Sequence, residues 1–167
     1  STHYGIHIPS IFRSFYINFI SKKRAQGGST ITMQLSRNLY DTKFKDIGHE
    51  KTIMRKIKEI ILAIKIEQVY TKNEILEMYL NSVYFGSIQS RPMWGIQKAS
   101  KMIFGKDVSK LELDECALLI ALLPAPNDRI PTRHPKNANK YRNIILKNML
   151  DDNHINEYEY EIAITTE

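Results

Sequence analysis

The chain has 167 residues, with 24 Lys or Arg against 18 Asp or Glu, a net charge of +6, 43% hydrophobic residues and one cysteine. That length suits a single domain with a sizeable core, and the composition excludes disorder, collagen and low-complexity sequence. Cys116 alone excludes an internal disulfide framework and a cysteine-rich zinc site. The charge is uneven: residues 1–70 carry +7, residues 71–150 carry +5 and residues 151–167 carry −6. A basic body of this kind points to an anionic partner: nucleic acid, anionic lipid or a phosphorylated substrate. The longest uninterrupted apolar run, residues 116–123, is far short of the ~18 residues needed to span a bilayer. No cleavable signal pattern opens the chain, and a first residue Ser1 suggests an excerpt of something longer.

The pattern is almost wholly helical. Ile11, Phe12, Phe15, Tyr16, Phe19 and Ile20 form one broad apolar stripe on a helix begun by Pro9. Such a stripe suits core packing or, with Lys22, Lys23 and Arg24 beyond it, contact with anionic lipid. After Gly27-Gly28, a second helix buries Ile31, Leu35 and Leu39, while Thr30, Gln34, Arg37 and Asn38 share another face. Residues 41–51 read as a polar connection. A third helix over about 52–70 is apolar on both sides, Ile53, Ile57, Ile60 and Ile64 on one and Leu62, Ile66 and Val69 on the other. That predicts a central, buried helix.

Thr71-x-x-Glu74 is a capping box that starts a fourth helix, expected to run to about Tyr84 with Glu77, Asn81 and Tyr84 on one side. Residues 87–94 read as a loop, since Pro92 and the mixed pattern resist helix. Helices follow over about 95–104, ended by Gly105, and about 113–123, stopped by Pro124-Ala125-Pro126. Residues 124–137 read as a long Pro-rich surface segment, before a last helix over about 138–152. The domain is placed at residues 1–152, with 153–167 an acidic tail or the start of a linker. No period-2 run is long enough to mark a strand, and no internal repeat is present.

Gly27-Gly28-Ser29-Thr30 opens into a helix N-terminus, where free N–H groups attract anions, although no phosphate-loop Lys follows. Arg55, Lys56 and Glu59 are a stronger signal. At i, i+4 they could be a surface pair, but the stripe they share with Leu62 and Ile66 puts them at the edge of buried surface. A carboxylate beside cations in such a place can act as acid, base or electrostatic stabiliser. His3 and His7 lack a third ligand nearby and read as structural, and Cys116 reads as a core residue.

Together these segments resemble the peptidoglycan glycosyltransferase (transglycosylase) domain of penicillin-binding proteins and monofunctional transglycosylases. Gly27-Gly28-Ser29-Thr30-Ile31-Thr32-Met33-Gln34-Leu35 is similar to that family's second motif, and Arg55-Lys56-Ile57-Lys58-Glu59 to its third. Residues 72–86 are similar to the fourth and residues 142–149 to the fifth. With His3 and Gly5 matching the end of the first motif, five blocks in the family's order, over nearly the whole chain, make the resemblance specific.

The resemblance implies a mainly α, lysozyme-like helical domain with a smaller membrane-touching lobe. It implies polymerisation of lipid II: a C4 hydroxyl attacks C1 of the growing glycan, undecaprenyl pyrophosphate leaves and the anomeric centre inverts. His3 and Gly5 match the end of the first motif, so its catalytic Glu would fall before Ser1, and residues 1–167 alone are expected to be inactive. Glu59 matches the family's second functional Glu. The resemblance places Ser29, Thr30, Gln34, Arg37, Asn38, Lys51, Arg55, Lys56, Glu77, Asn81 and Tyr84 at the substrate. Arg37 and Lys51 exchange cation type against the family pattern, Met33 replaces a Gln, and the 87–94 loop is longer than usual.

The implied partners are lipid II, the growing glycan and the membrane surface, not nucleic acid, with a transpeptidase domain open for the intact chain. The implied location is the outer face of the bacterial plasma membrane, with the anchor outside residues 1–167. The sequence marks no definite cofactor; a divalent cation at the pyrophosphate is compatible with the chemistry, though no clear carboxylate cluster marks a metal site. The competing readings are a binding module that holds lipid-linked precursor without polymerising it, and a lysozyme-like hydrolase.

Overall fold

The computed structural model describes residues 30–43 and 52–166. The aromatic stripe of residues 11–20, His3, His7, Ser29 and Lys51 lie outside the described residues. Helix α1 (Ile31–Lys43) starts at Thr30, whose Oγ1 accepts from Met33 N at 3.2 Å, a side-chain cap on an otherwise orphan donor. It continues past Asp41, into the stretch expected as a connection. Helix α2 (Thr52–Val69) packs against α1 along one side and touches helix α3 (Lys72–Ser82). The capping box is formed: Thr71 Oγ1 accepts from Glu74 N, and Glu74 accepts from Thr71 N at 2.8 Å.

The α2 expectation needs correction. Ala63, Ile66 and Glu59 are buried, but Met54, Ile57, Ile60, Ile61 and Ile64 are exposed, from 41% to 53%. The helix has neighbours on the α1 side only, so its second apolar side faces outward among the described residues. It is not central.

The second correction is a β-hairpin. α3 ends at Ser82, and Tyr84 already lies on strand β1 (Tyr84–Ile88), which pairs antiparallel with β2 (Arg91–Trp94). Gln89 and Ser90 form the turn, both at positive φ (49° and 62°), the sign that two-residue hairpin turns require. Non-glycine residues there cost about 1 kcal/mol each. Phe85 and Met93, both fully buried, hold one side of the hairpin to the body. Gly95 follows at φ 83°, and a Cβ on it would stand 2.7 Å from Asn81 O, so only glycine lets β2 close onto the end of α3.

Helix α4 (Ile96–Phe104) ends on Gly105 in the left-handed region, and a 3₁₀ turn (Val108–Lys110) leads to helix α5 (Leu113–Leu122). α5 is the core element, buried from Cys116 through Leu122 and surrounded by α4, β1 and the helices that follow. Burial pushes the Cys116 thiol up to about 12, so it packs as an inert apolar group. The Pro-rich stretch is not merely surface: it contains α6 (Pro126–Arg129), Ile130 is fully buried, and α7 (Pro135–Asp151) begins with a proline in its first turn. The stretch read as an acidic tail is helical over Glu157–Thr165 (α8) and packs on α7. Ile155 and Ala163 are buried there. Its acids gather at the N-terminus, where the helix dipole favours them. No helix among the described residues is long and apolar enough to cross a membrane.

Candidate active site

The i, i+4 spacing on α2 brings Arg55 and Glu59 together, and Lys56 joins them from one turn back. Glu59 is only 3% exposed. Its Oε2 accepts from Lys56 Nζ at 3.0 Å, and its Oε1 lies 3.5 Å from Arg55 Nε. That second contact attracts by charge but misses hydrogen-bond geometry. Neither Arg55 Nε nor Glu59 Oε1 has a hydrogen-bond partner among the described residues, and both atoms are buried. Buried polar atoms are nearly always satisfied, and an unpaired carboxylate oxygen costs about 1–3 kcal/mol or more. An acceptor held unpaired beside two cations is suited to a hydroxyl or a reacting oxygen of a ligand.

The backbone of this segment is fixed from α1. Ser36 Oγ stands 3.0 Å from Glu59 O and 2.9 Å from Met33 O, so one buried hydroxyl ties the two helices beneath the carboxylate. Farther along the seam, Thr32 and Lys72 both donate to the Glu67 carboxylate. Burial pushes that carboxyl up, but the hydrogen bonds from Lys72 and Thr32 and the charge of Lys72 outweigh it and hold it below its ordinary value.

Gln34 is set by α3. Tyr79 donates its hydroxyl to Gln34 Oε1 at 3.1 Å, and burial pushes the Tyr79 phenol up to about 12, so it stays a donor. With Oε1 occupied, the Gln34 amide nitrogen is left to donate. Arg37 is exposed and Asn38 half-buried on the same helix, and Thr30 caps it. Glu77 and Asn81 are exposed on α3. Tyr84 sits on the hairpin instead, where its hydroxyl donates to Asn127 Oδ1 at 3.2 Å. So the structure brings together Arg55, Lys56 and Glu59, and separately Gln34 with Tyr79, on the shared support of α1. Among the described residues no group of three or more His, Cys, Asp or Glu could hold a metal.

Sequence reasoning missed Tyr79 and Ser36 as supports. Their partners lie 45 and 23 residues away, beyond any local pattern. It also gave Arg142 no physical role. That side chain is buried and donates from Nη1 to Thr166 O at 2.7 Å and from Nη2 to Ile164 O at 3.3 Å. It closes the C-terminal end of α8, where a cation meets the last carbonyls of a helix.

Residues 1–150 match the family model described as Transglycosylase. Penicillin-binding protein 1A of Aquifex aeolicus is 44% identical over 97% of this chain and 21% of its own length. Penicillin-binding protein 1A of Escherichia coli is 40% identical over 95% of this chain and 18% of its own. The crystal structure of Penicillin-Binding Protein 1A from Haemophilus influenzae superposes with a TM-score of 0.53 at 33% identity, over 60% of this chain and 14% of that one. The chain thus spans about a fifth of the length of these curated relatives.

Proposed function

Because the chain belongs to the transglycosylase family, we infer that it is the glycan-polymerising domain of a peptidoglycan synthase. The observation that carries this reading is Glu59: buried, ion-paired to Lys56 and Arg55, and with one oxygen that takes no hydrogen bond among the described residues. The substrate is lipid II, and the reaction joins the C4 hydroxyl oxygen of one sugar to C1 of another as the bond from C1 to the pyrophosphate oxygen breaks. The hydroxyl proton goes to a first-motif carboxylate, which the family pattern puts ahead of Ser1. Glu59 Oε1 takes a hydrogen bond from the sugar beside the reacting carbon. Arg55 and Lys56 supply positive charge to the departing pyrophosphate, whose negative charge grows as the bond breaks. Arg37 and Lys51 add to that charge, with or without a divalent cation, and Gln34 and Asn38 hydrogen-bond to sugar or phosphate oxygens. The substrate's prenyl chain ties the reaction to a membrane surface, assigned to the outer face of the plasma membrane as the family resemblance implies, and a transpeptidase domain in the same protein fits the length of the relatives.

The test is lipid II polymerisation by the parent protein that contains this sequence. Glu59→Gln keeps the shape and removes the charge, and is expected to lower turnover by about 10²-fold or more while the far-ultraviolet circular dichroism stays unchanged. Near-normal turnover removes Glu59 from the site. Wild-type protein that binds lipid II and forms no polymer favours the binding-module reading, and cleavage of finished glycan favours the hydrolase.

A further inference from the structure

Trp94 is the single tryptophan of the chain, and it is 55% exposed. One exposed apolar residue needs no explanation by itself. Here the ring is also held in place. Alternation along β2 buries Met93 and turns Trp94 outward. Across the hairpin Tyr84 pairs with Trp94, with ring centroids 5.0 Å apart and planes tilted by 45°. Tyr84 is in turn fixed by its hydrogen bond to Asn127. The next residue, Gly95, is pressed against the backbone of Asn81. The aromatic pair therefore stands beside the end of α3, where Asn81 is exposed, and the Asn127 amide touches it at the Tyr84 hydroxyl. Two left-handed residues in the turn add backbone strain to the hairpin.

A fixed aromatic face rimmed by amides suits a pyranose ring. The axial C–H groups of a β-linked sugar lie on the negative face of the indole, while its equatorial hydroxyls reach outward to side-chain amides. A membrane-inserting loop would carry its apolar groups at the tip. This tip is Gln89-Ser90-Arg91, all exposed, so the hairpin is built for a hydrated ligand rather than for lipid. Resting on the polymerase reading above, we propose that Tyr84 and Trp94 form a stacking subsite for a sugar ring of the glycan strand, with Asn81 and Asn127 as its hydrogen-bonding rim. The site takes uncharged β-1,4-linked amino sugars and makes no use of the pyrophosphate.

The sole tryptophan makes the test direct. Adding soluble β-1,4-linked N-acetylglucosamine tetrasaccharide to the 167-residue chain should give a saturable change in its tryptophan emission. By calorimetry, Trp94→Phe, which keeps a flat ring, should retain most of the affinity, while Trp94→Leu and Trp94→Ala bind about tenfold more weakly or worse. Circular dichroism confirms that each variant is folded, and if the Leu variant fails to fold, the Phe and wild-type titrations still decide. An unchanged emission, or Leu binding as well as Phe, overturns the subsite. So does an emission shift produced by phospholipid vesicles but not by the saccharide. Saccharide binding by the 167-residue chain, with no polymer made from lipid II by the parent protein that contains it, leaves the subsite standing and sinks the polymerase reading. Polymer formation with a silent Trp94 does the reverse.

Discussion

Helices α5 and α2 are both rich in aliphatic residues on more than one side, yet they occupy opposite situations. α5 is met by α4, α6, α7, α8 and β1, and every residue from Cys116 through Leu122 is buried. Among the described residues α2 is met by α1 and α3, and a row of isoleucines remains exposed on the side away from Glu59. The difference is the number of neighbours, not the apolar content of the helix. It has a consequence for the candidate site. A carboxylate flanked by cations can be held near solvent on α2 because, among the described residues, only one side of that helix is enclosed. The same trio on α5 would sit among aliphatic side chains with no route for a substrate.

The sharpest way to break this comparison is to truncate one aliphatic residue on each helix. Leu119→Ala opens a cavity at a fully buried position and should cost about 2–5 kcal/mol in urea unfolding. Ile61→Ala removes atoms that are already half in water and should cost no more than about 0.5 kcal/mol. Equal costs would mean that the outer face of α2 is covered in solution.

A second, smaller effect concerns how the α5 region is closed. Arg142 reaches the carbonyls of Ile164 and Thr166 and so secures α8, which packs on α7 and α5. Arg142→Met keeps the apolar stem and loses both bonds. The expected loss is about 2 kcal/mol, with faster proteolytic cleavage after residue 152. Unchanged cleavage would mean that Ile155 and Ala163 hold α8 by packing alone.

These two regions were not equally legible in the sequence. The helical body was: 3.6-residue periodicity, the Thr71–Glu74 capping box and the Gly105 stop each act within a few residues, and the structure has helices at those places. The spacing of Arg55 and Glu59 also marked the ion pair, because i, i+4 is itself a contact. The hairpin was not legible. Its strands are short, Pro92 interrupts the second, and its turn is Gln-Ser where Asn-Gly would have announced it. The exposed side of α2 was illegible for another reason. Periodicity reports which residues are apolar, and only the tertiary arrangement decides which of them find neighbours. Glu67 with Thr32, and Gln34 with Tyr79, are contacts across 35 and 45 residues that no local rule reaches.

The seam between α2 and α1 includes polar contacts, so its strength can be measured by small changes. Ser36→Ala removes the hydroxyl shared by Met33 O and Glu59 O, and about 1 kcal/mol should be lost. If polymerisation by the parent protein falls while stability barely changes, the hydroxyl acts by positioning the Glu59 backbone. If both are untouched, α1 and α2 are held by their apolar contacts alone.

The smallest effect separates the two regions by pH. Glu67 ties α2 to Thr32 of α1 and to Lys72 of α3, and its carboxyl is held below its ordinary value. A depressed folded pKa means that the unfolded chain binds the proton more readily. The contribution is therefore complete above the ordinary carboxylate range and is lost as pH falls through the lowered folded value. In the other region, Asp107 accepts first from the Gln97 amide and then from Ser109 N and Oγ, and its carboxyl is lowered to about 2. Its contribution fades between about pH 4, the unfolded range, and pH 2. Both groups are largely exposed, so solvent screens them and each effect is small. Wild type should lose more stability than Glu67→Gln between neutral pH and the bottom of that carboxylate's titration, with hydrogen exchange rising first in α1 and α2. Asp107→Asn should flatten the same curve only near pH 2–4, with the exchange confined to α4 and the 3₁₀ turn. Exchange that rose everywhere at once in both variants would show one cooperative unit, and the contrast between an open and an enclosed region would then describe packing but not stability.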